Sequence, residues 1–208
     1  EIKLIFLLRH PTSRAYSNYW HMLRTGRAAY SFEDTIRYEP STLLDRSLYK
    51  SQLETYYKHI PRERIKVILF EEFIADLQGE MEGVCDFLGL DINEFPADAL
   101  EVHANKALLP KNIRLQVLKN RLLKNSGHAR YLDTLPLKPQ QDNRQVSFWE
   151  KAVNKLHYKL NPLAVRGKPK MKAETKIFLD KFFQRELEGI DELVGKNVMS
   201  IWFSRSLY

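Results

Sequence analysis

The segment 7–19, LLRHPTSRAYSNY, holds the residues best suited to chemistry. An apolar run ends in Arg9, Pro11 turns the chain, and the turns that follow carry Ser13, Arg14 and Ser17. In an open α/β sheet, ligands gather beyond the carboxyl ends of the strands. A helix that starts there offers unpaired N–H groups and a partial positive charge, which suit phosphate. Arg9 can add a bidentate, charge-assisted contact, and Ser17 a hydroxyl from the same helix. The segment therefore predicts an anion site. A plainer reading has Arg9 salt-bridged at a strand end and Ser17 bonded to its own helix backbone, and the residues alone favour that one.

The elements that must position these residues follow from hydrophobic period and punctuation. Residues 2–8 (IKLIFLL) read as a strand covered on both faces, as near-continuous apolar runs do in parallel sheets. Pro11 suits the first turn of a helix that runs to about Arg24 and is ended by Gly26, with Thr12 and Ser13 helping to cap it. Ser31 and Asp34 fit a capping box for a short helix to Arg37. Residues 43–60 read as one longer helix, stopped by Pro61. A second buried strand spans 65–70 (IKVILF), followed by a helical turn over 71–77 and a helix through Met81 and Leu88 that Gly89 ends.

Residues 91–110 read as mostly loop, 111–124 as a basic amphipathic helix, and 125–147 as an irregular surface excursion. A helix spans 148–160, a Pro/Gly/Lys loop 161–172, and the clearest helix of all 173–194, with Gly195 closing it. Helices between parallel-type strands make an α/β fold. Two strands are too few for a stable sheet, so further strands are expected upstream.

Composition bounds the class. The 208 residues are 44% hydrophobic and 28% charged, which fits a soluble globular chain. Lys and Arg outnumber Asp and Glu, 33 to 26, so an anionic partner is favoured. One cysteine, Cys85, excludes an intrachain disulfide, and its apolar neighbours make it a buried structural thiol. No Cys/His spacing resembles a zinc site, and no metal is expected. No stretch of the sequence is apolar for long enough to span a membrane.

Arg9-x-Pro11-x-x-Arg14-Ala15-x-Ser17-x-Tyr19 resembles the 3′-phosphate-binding motif of the sulfotransferases, which use 3′-phosphoadenosine 5′-phosphosulfate. The resemblance continues in order. Arg46 to Tyr49, with Leu53 and Tyr57, is similar to the family helix G-x-Y-x-x-x-L-x-x-W, the glycine replaced. Residues 61–73 (PRERIKVILFEEF) and 87–90 (FLGL) are similar to family structural segments. Residues 166–171 (RGKPKM) resemble the basic loop that closes over the nucleotide, although the order differs from the family's K-G-R. Residues 186–202 resemble the family's terminal helix.

What the resemblance implies is a parallel-sheet, P-loop-like sulfotransferase fold, helix-rich toward its C-terminus, in one domain over 1–208. It implies donor contacts from Arg9, Ser17, Tyr49, Arg166, Gly167 and Lys168, with Tyr49 near the adenine. The acceptor would be a small molecule or carbohydrate bearing a hydroxyl or amine. The family's glycine-rich, lysine-containing loop for the 5′-phosphosulfate is not matched by any segment here, so the fold is expected to be N-terminally incomplete. No catalytic base is assigned, because none of the six histidines matches the family's position. A bacterial cytoplasm is the expected location, with a Golgi lumen also open. The rival reading is a basic nucleic-acid-binding module built on residues 111–124, and a third is a non-catalytic sulfotransferase remnant.

Overall fold

The computed structural model describes residues 2–96, 108–123 and 147–204. In chain order the elements are β1 (Leu4–Leu8), α1 (Pro11–Arg24), α2 (Phe32–Tyr38), α3 (Pro40–Leu44), α4 (Tyr49–Tyr57), β2 (Ile65–Leu69), α5 (Phe70–Ala75), α6 (Leu77–Leu88), β3 (Leu108–Pro110), α7 (Ile113–Leu122), α8 (Phe148–Leu160), β4 (Leu163–Val165), α9 (Ala173–Glu186), α10 (Ile190–Val194) and α11 (Val198–Phe203). The surface excursion expected over 125–147 lies, but for Ser147, outside the described residues.

The contacts cluster in two compact units. Of the described residues, 2–15, 44–96 and 171–204 make the first, and 16–43, 108–123 and 147–170 the second.

In the first unit β1 and β2 pair in parallel, Leu4 opposite Ile65 through Leu8 opposite Leu69. β2 is buried at four of its five positions. β1 is not covered on both faces as its sequence suggests, because Ile5 and Leu7 stay 40% and 51% exposed. Its packed side is Leu4, Phe6 and Leu8, so the apolar run follows strand alternation here. Leu179, Phe183, Leu187, Ile190 and Val198 are wholly buried and form the centre of this unit's core with Leu53 and Leu69.

The expected helix over 173–194 is two helices, broken where Gly189 takes φ +81°, a conformation only glycine adopts without strain. The expected helix over 43–60 is also broken. A 3₁₀ turn at Asp45–Ser47 and a non-helical Leu48 intervene, and the fully buried Ser47 accepts a long bond from Arg14 (3.4 Å). α6 ends as expected at Gly89, with φ +78°.

Asp180, buried on α9, holds the junction between β1 and α1 (residues 9–12). Its carboxylate accepts from the Thr12 hydroxyl at 2.6 Å and pairs with Lys176 at 2.5 Å. Thr12 is 1% exposed, so its side chain is a buried donor and not the expected cap. The His10 backbone N–H donates to Glu71 in the first turn of α5, just after β2, and the Trp202 indole donates to the other oxygen of that carboxylate. The His10 ring lies edge-on to Phe203 at 5.1 Å, and its buried Nδ1 has no partner among the described residues.

The second unit is organised by buried amides. Asn120 donates to the backbone carbonyls of Leu23 (2.8 Å) and Ala28 (2.7 Å), and Gln116 donates to the Leu23 carbonyl and to the Asn120 side-chain Oδ1. These bonds hold the turn that ends α1, where Gly26 has φ +84°. Asn161 and the Asn112 backbone exchange two bonds, at 2.6 and 2.8 Å. β3 and β4 pair antiparallel, Leu109 opposite Ala164, at the end of a stretch expected to be mostly loop (91–110) and within the loop expected over 161–172. α7 is basic as expected, yet it turns Lys119 inward, 9% exposed, with the Tyr158 ring 5.8 Å from its ammonium. That leaves the nucleic-acid reading without one of its cations. Among the described residues no helix is long and apolar enough to cross a membrane.

Asn120→Ala leaves the Ala28 carbonyl without its side-chain donor and the Leu23 carbonyl with Gln116 alone of the two amides, and a loss of about 2 kcal/mol in urea unfolding is expected. Leu122→Ala, on the exposed side of the same helix, should stay within about 0.5 kcal/mol of the parent.

Burial pushes the His10 imidazole below its usual 6.5, and the opposing pull of Asp180 and Glu71 is smaller. The unfolded chain therefore binds a proton near pH 6.5 that the folded chain takes up only at lower pH. This contribution to stability is full above about pH 6.5 and is lost as pH falls below it. His10→Gln should flatten that acid-side slope in urea midpoints taken between about pH 7.5 and about pH 5.5. His157 and His21 shift the same way for the same reason and keep part of the slope.

Candidate functional site

Arg9 follows the last residue of β1, at the carboxyl end of the parallel pair. Its guanidinium stacks on Phe70 at 5.0 Å, and no carboxylate among the described residues pairs with it. Among the described residues Arg9 thus sits on an aromatic face and in no salt bridge. Its backbone is fixed from the other side, where the Tyr49 hydroxyl donates to the Arg9 carbonyl at 2.9 Å. Tyr49 itself is 5% exposed, with its ring 5.7 Å from that of Trp202. Burial raises its phenol above the usual 10, so it stays a neutral donor. Arg14, one helical turn on, lies 6.0 Å over the Tyr49 ring. Tyr49 thus carries the Arg14 guanidinium on its ring and the Arg9 backbone on its hydroxyl, while the Arg9 guanidinium lies on Phe70. Arg14 was not among the expected donor contacts. Its signal in the sequence was its place in the motif itself.

In the second unit, Ser17 on α1 meets Lys168 from the loop after β4. The ammonium donates to the hydroxyl oxygen at 2.7 Å across 151 residues of sequence. Ser17 is therefore engaged by a cation, and no bond to its own helix backbone replaces that contact. A hydroxyl that accepts from an ammonium keeps its own proton to donate, so the pair matches an anionic oxygen.

Two anchors hold the loop. On one side of Lys168, Arg166 donates to the Lys111 carbonyl at 3.0 Å. On the other side, the Tyr16 hydroxyl donates to the Pro169 carbonyl at 2.7 Å. Burial raises the Tyr16 phenol, which keeps it a donor. Arg166 thus serves the backbone in this structure. Gly167, between them, has open space where a side chain would begin, so no close approach of backbone demands glycine there. Tyr16 was missed by the sequence reading. It stands beside Ser17 in the motif, but only the returning loop shows what it does.

The same unit holds an open cleft of about 500 Å³ lined by Tyr30, Asp34, Tyr38 and Arg121. The two phenol rings lie 5.5 Å apart, and Arg121 sits 5.5 Å over Tyr30. Ser31 caps α2 through the Asp34 backbone and also donates to the Asp34 carboxylate, which fixes that side chain at the cleft.

Residues 1–94 match the model of the sulfotransferase family. Mouse heparan sulfate glucosamine 3-O-sulfotransferase 3B1 is 35% identical over 98 residues, 43% of this chain and 25% of that protein. Human heparan sulfate glucosamine 3-O-sulfotransferase 5 is 31% identical over 102 residues, 43% of this chain and 29% of that protein. The matched part is thus about a quarter of the length of these relatives. The crystal structure of a sulfotransferase from Alicyclobacillus acidocaldarius superposes with a TM-score of 0.57 at 20% identity, covering 96% of this chain and 57% of that one. Its likeness shows the fold, an α/β sulfotransferase architecture. Through residues 1–94 the chain matches the sulfotransferase family by sequence, and over nearly all of its length it has the fold of a sulfotransferase.

Proposed function

We propose that this protein transfers a sulfuryl group from 3′-phosphoadenosine 5′-phosphosulfate to a carbohydrate hydroxyl or amine. The observation that carries the reading is the Lys168–Ser17 contact at 2.7 Å. Two segments that resemble donor-binding motifs of one family, far apart in sequence, come together on one hydroxyl.

In this reading Arg9 and Ser17 hold the 3′-phosphate, and Lys168 adds a second cation. The residues fit an anion: no carboxylate among the described residues pairs with Arg9, and Ser17 is held by an ammonium. Tyr49 acts through Arg9 by fixing its backbone. Arg166 and Gly167 belong to the loop that carries Lys168, with Arg166 as its anchor. The donor, when bound, supplies the sulfuryl group, and cations near its phosphates stabilise the leaving charge. Recognition of the 3′-phosphate separates this donor from ATP, which lacks that group. A carbohydrate acceptor is supported by the names of the relatives and by the cleft of Tyr30, Tyr38, Asp34 and Arg121. Aromatic faces with a few placed polar groups are what ligand clefts of this size offer. The reaction also needs a base to deprotonate the acceptor, and that role is assigned to no residue here.

Arg9→Ala should weaken adenosine 3′,5′-bisphosphate by roughly tenfold to a hundredfold, the equivalent of about 1.5–3 kcal/mol, and AMP by much less. Calorimetry with the two nucleotides measures the difference, and equal losses would remove Arg9 from the 3′ site. Ser17→Ala should cost less than Arg9→Ala, because a neutral hydroxyl contributes less than a guanidinium. If Ser17 and Lys168 act on one phosphate, the double variant Ser17→Ala/Lys168→Ala should lose less affinity than the two single losses added together.

A further inference from the structure

Helices α7 and α8 are packed with their polar sides inward. On α7 the buried residues are Gln116, Lys119 and Asn120, while Leu118 and Leu122 point out, 53% and 71% exposed. On α8 the buried residue is His157, and Asn161 follows it, fully buried. Trp149, Leu156 and Leu160 recur at helical spacing on the outside, 70%, 60% and 64% exposed, with Phe148 beside them. Amphipathic surface helices ordinarily do the reverse.

The orientation is held by hydrogen bonds. Turning α7 to bury its leucines would break both bonds from Asn120 to the Leu23 and Ala28 carbonyls. Turning α8 would break the exchange between Asn161 and Asn112. The outward apolar residues of each helix are therefore fixed features of the second unit, and those in line on α8 call for cover.

Charge chooses the cover. Lys151, Lys155 and Lys159 recur every four residues along the flank of the α8 stripe, all exposed. The described residues of this unit carry 13 Lys and Arg, against the four acids Glu33, Asp34, Glu39 and Glu150. A second copy of the same face would set these cations against one another. A soluble polyanion would use the lysines and leave Trp149 and the leucines wet. A bilayer surface with anionic headgroups takes both: aromatic and leucine side chains at the acyl boundary, lysines among the headgroups.

We propose that the outer face of α7 and α8 docks on an anionic membrane surface, without spanning it. This inference stands apart from the sulfotransfer reading and does not depend on it.

The probe is vesicles of phosphatidylcholine containing phosphatidylserine, compared with phosphatidylcholine alone. Trp20 and Trp202 are buried, so a change in tryptophan emission reports Trp149. The expected result is co-sedimentation with the serine-containing vesicles, a blue shift, and weakening at high salt. Leu156→Glu/Leu160→Glu should reduce partitioning by roughly tenfold or more. Both positions are exposed, and an unchanged far-UV dichroism spectrum verifies the fold. Trp149→Phe should bind vesicles with no blue shift, which checks the reporter. Three outcomes overturn the proposal. One is no preference for the anionic vesicles. Another is vesicle binding that Leu156→Glu/Leu160→Glu leaves unchanged, which assigns the contact to the lysines alone. The third is a concentration-dependent dimer that the same double variant abolishes, which assigns the stripe to a second copy.

Discussion

A buried carboxylate sets the start of α1, and much of the first unit depends on it. Asp180 accepts from Thr12 on the first turn of that helix and from Lys176 one turn back on its own. A carboxylate this buried is tolerable only when its oxygens are paired and bonded. Here the pairing joins residues 168 apart in the chain. It fixes where β1 stops and where α1 begins, and so fixes Arg9 between them. Glu71 repeats the device just after β2, with one oxygen on the His10 backbone and the other on Trp202. Asp180 serves a hydroxyl and Lys176, Glu71 serves a backbone N–H and an indole, and neither pairs with the Arg9 guanidinium.

That separation has a consequence for chemistry. A site that must attract an anion needs cations that no internal acid has already neutralised. Arg9 stacks on an aromatic ring, and Arg14 lies over another. Aromatic faces can hold a guanidinium in place without cancelling its charge. Lys168 is placed on a hydroxyl by a loop anchored through Arg166 on the Lys111 carbonyl and through the Pro169 carbonyl on Tyr16. In the first unit the buried acids and the two arginines are thus given different partners among the described residues.

The second unit shows the same economy with neutral groups. Its buried amides take the place that apolar side chains usually fill, and they satisfy carbonyls at the turn that ends α1. An amide in such a place specifies one geometry, because a shifted helix would leave polar atoms unpaired. Specificity gained inside is matched by apolar surface left outside. The two observations are one arrangement seen from its two faces.

The sequence by itself determined the elements whose signals are local. Pro11 and Arg24 bound α1 as read, Ser31 caps α2, Gly89 closes α6, and α8 spans Phe148–Leu160 as read. The motif of Arg9 and Ser17 was legible because type and spacing carry it. Tertiary structure alone decided what each motif residue touches. Thr12 read as a cap and became a buried donor, because its partner stands on α9. The long helices over 43–60 and 173–194 break, because Ser47 is buried against Arg14 and because Gly189 is free to take a positive φ that its neighbours are not. The faces of α7 and α8 were unreadable for a sharper reason. Periodicity finds the apolar stripe of a helix but does not say which way it points, and here the carbonyls of Leu23 and Ala28, on a different helix and its turn, drew the amides inward and left the leucines out.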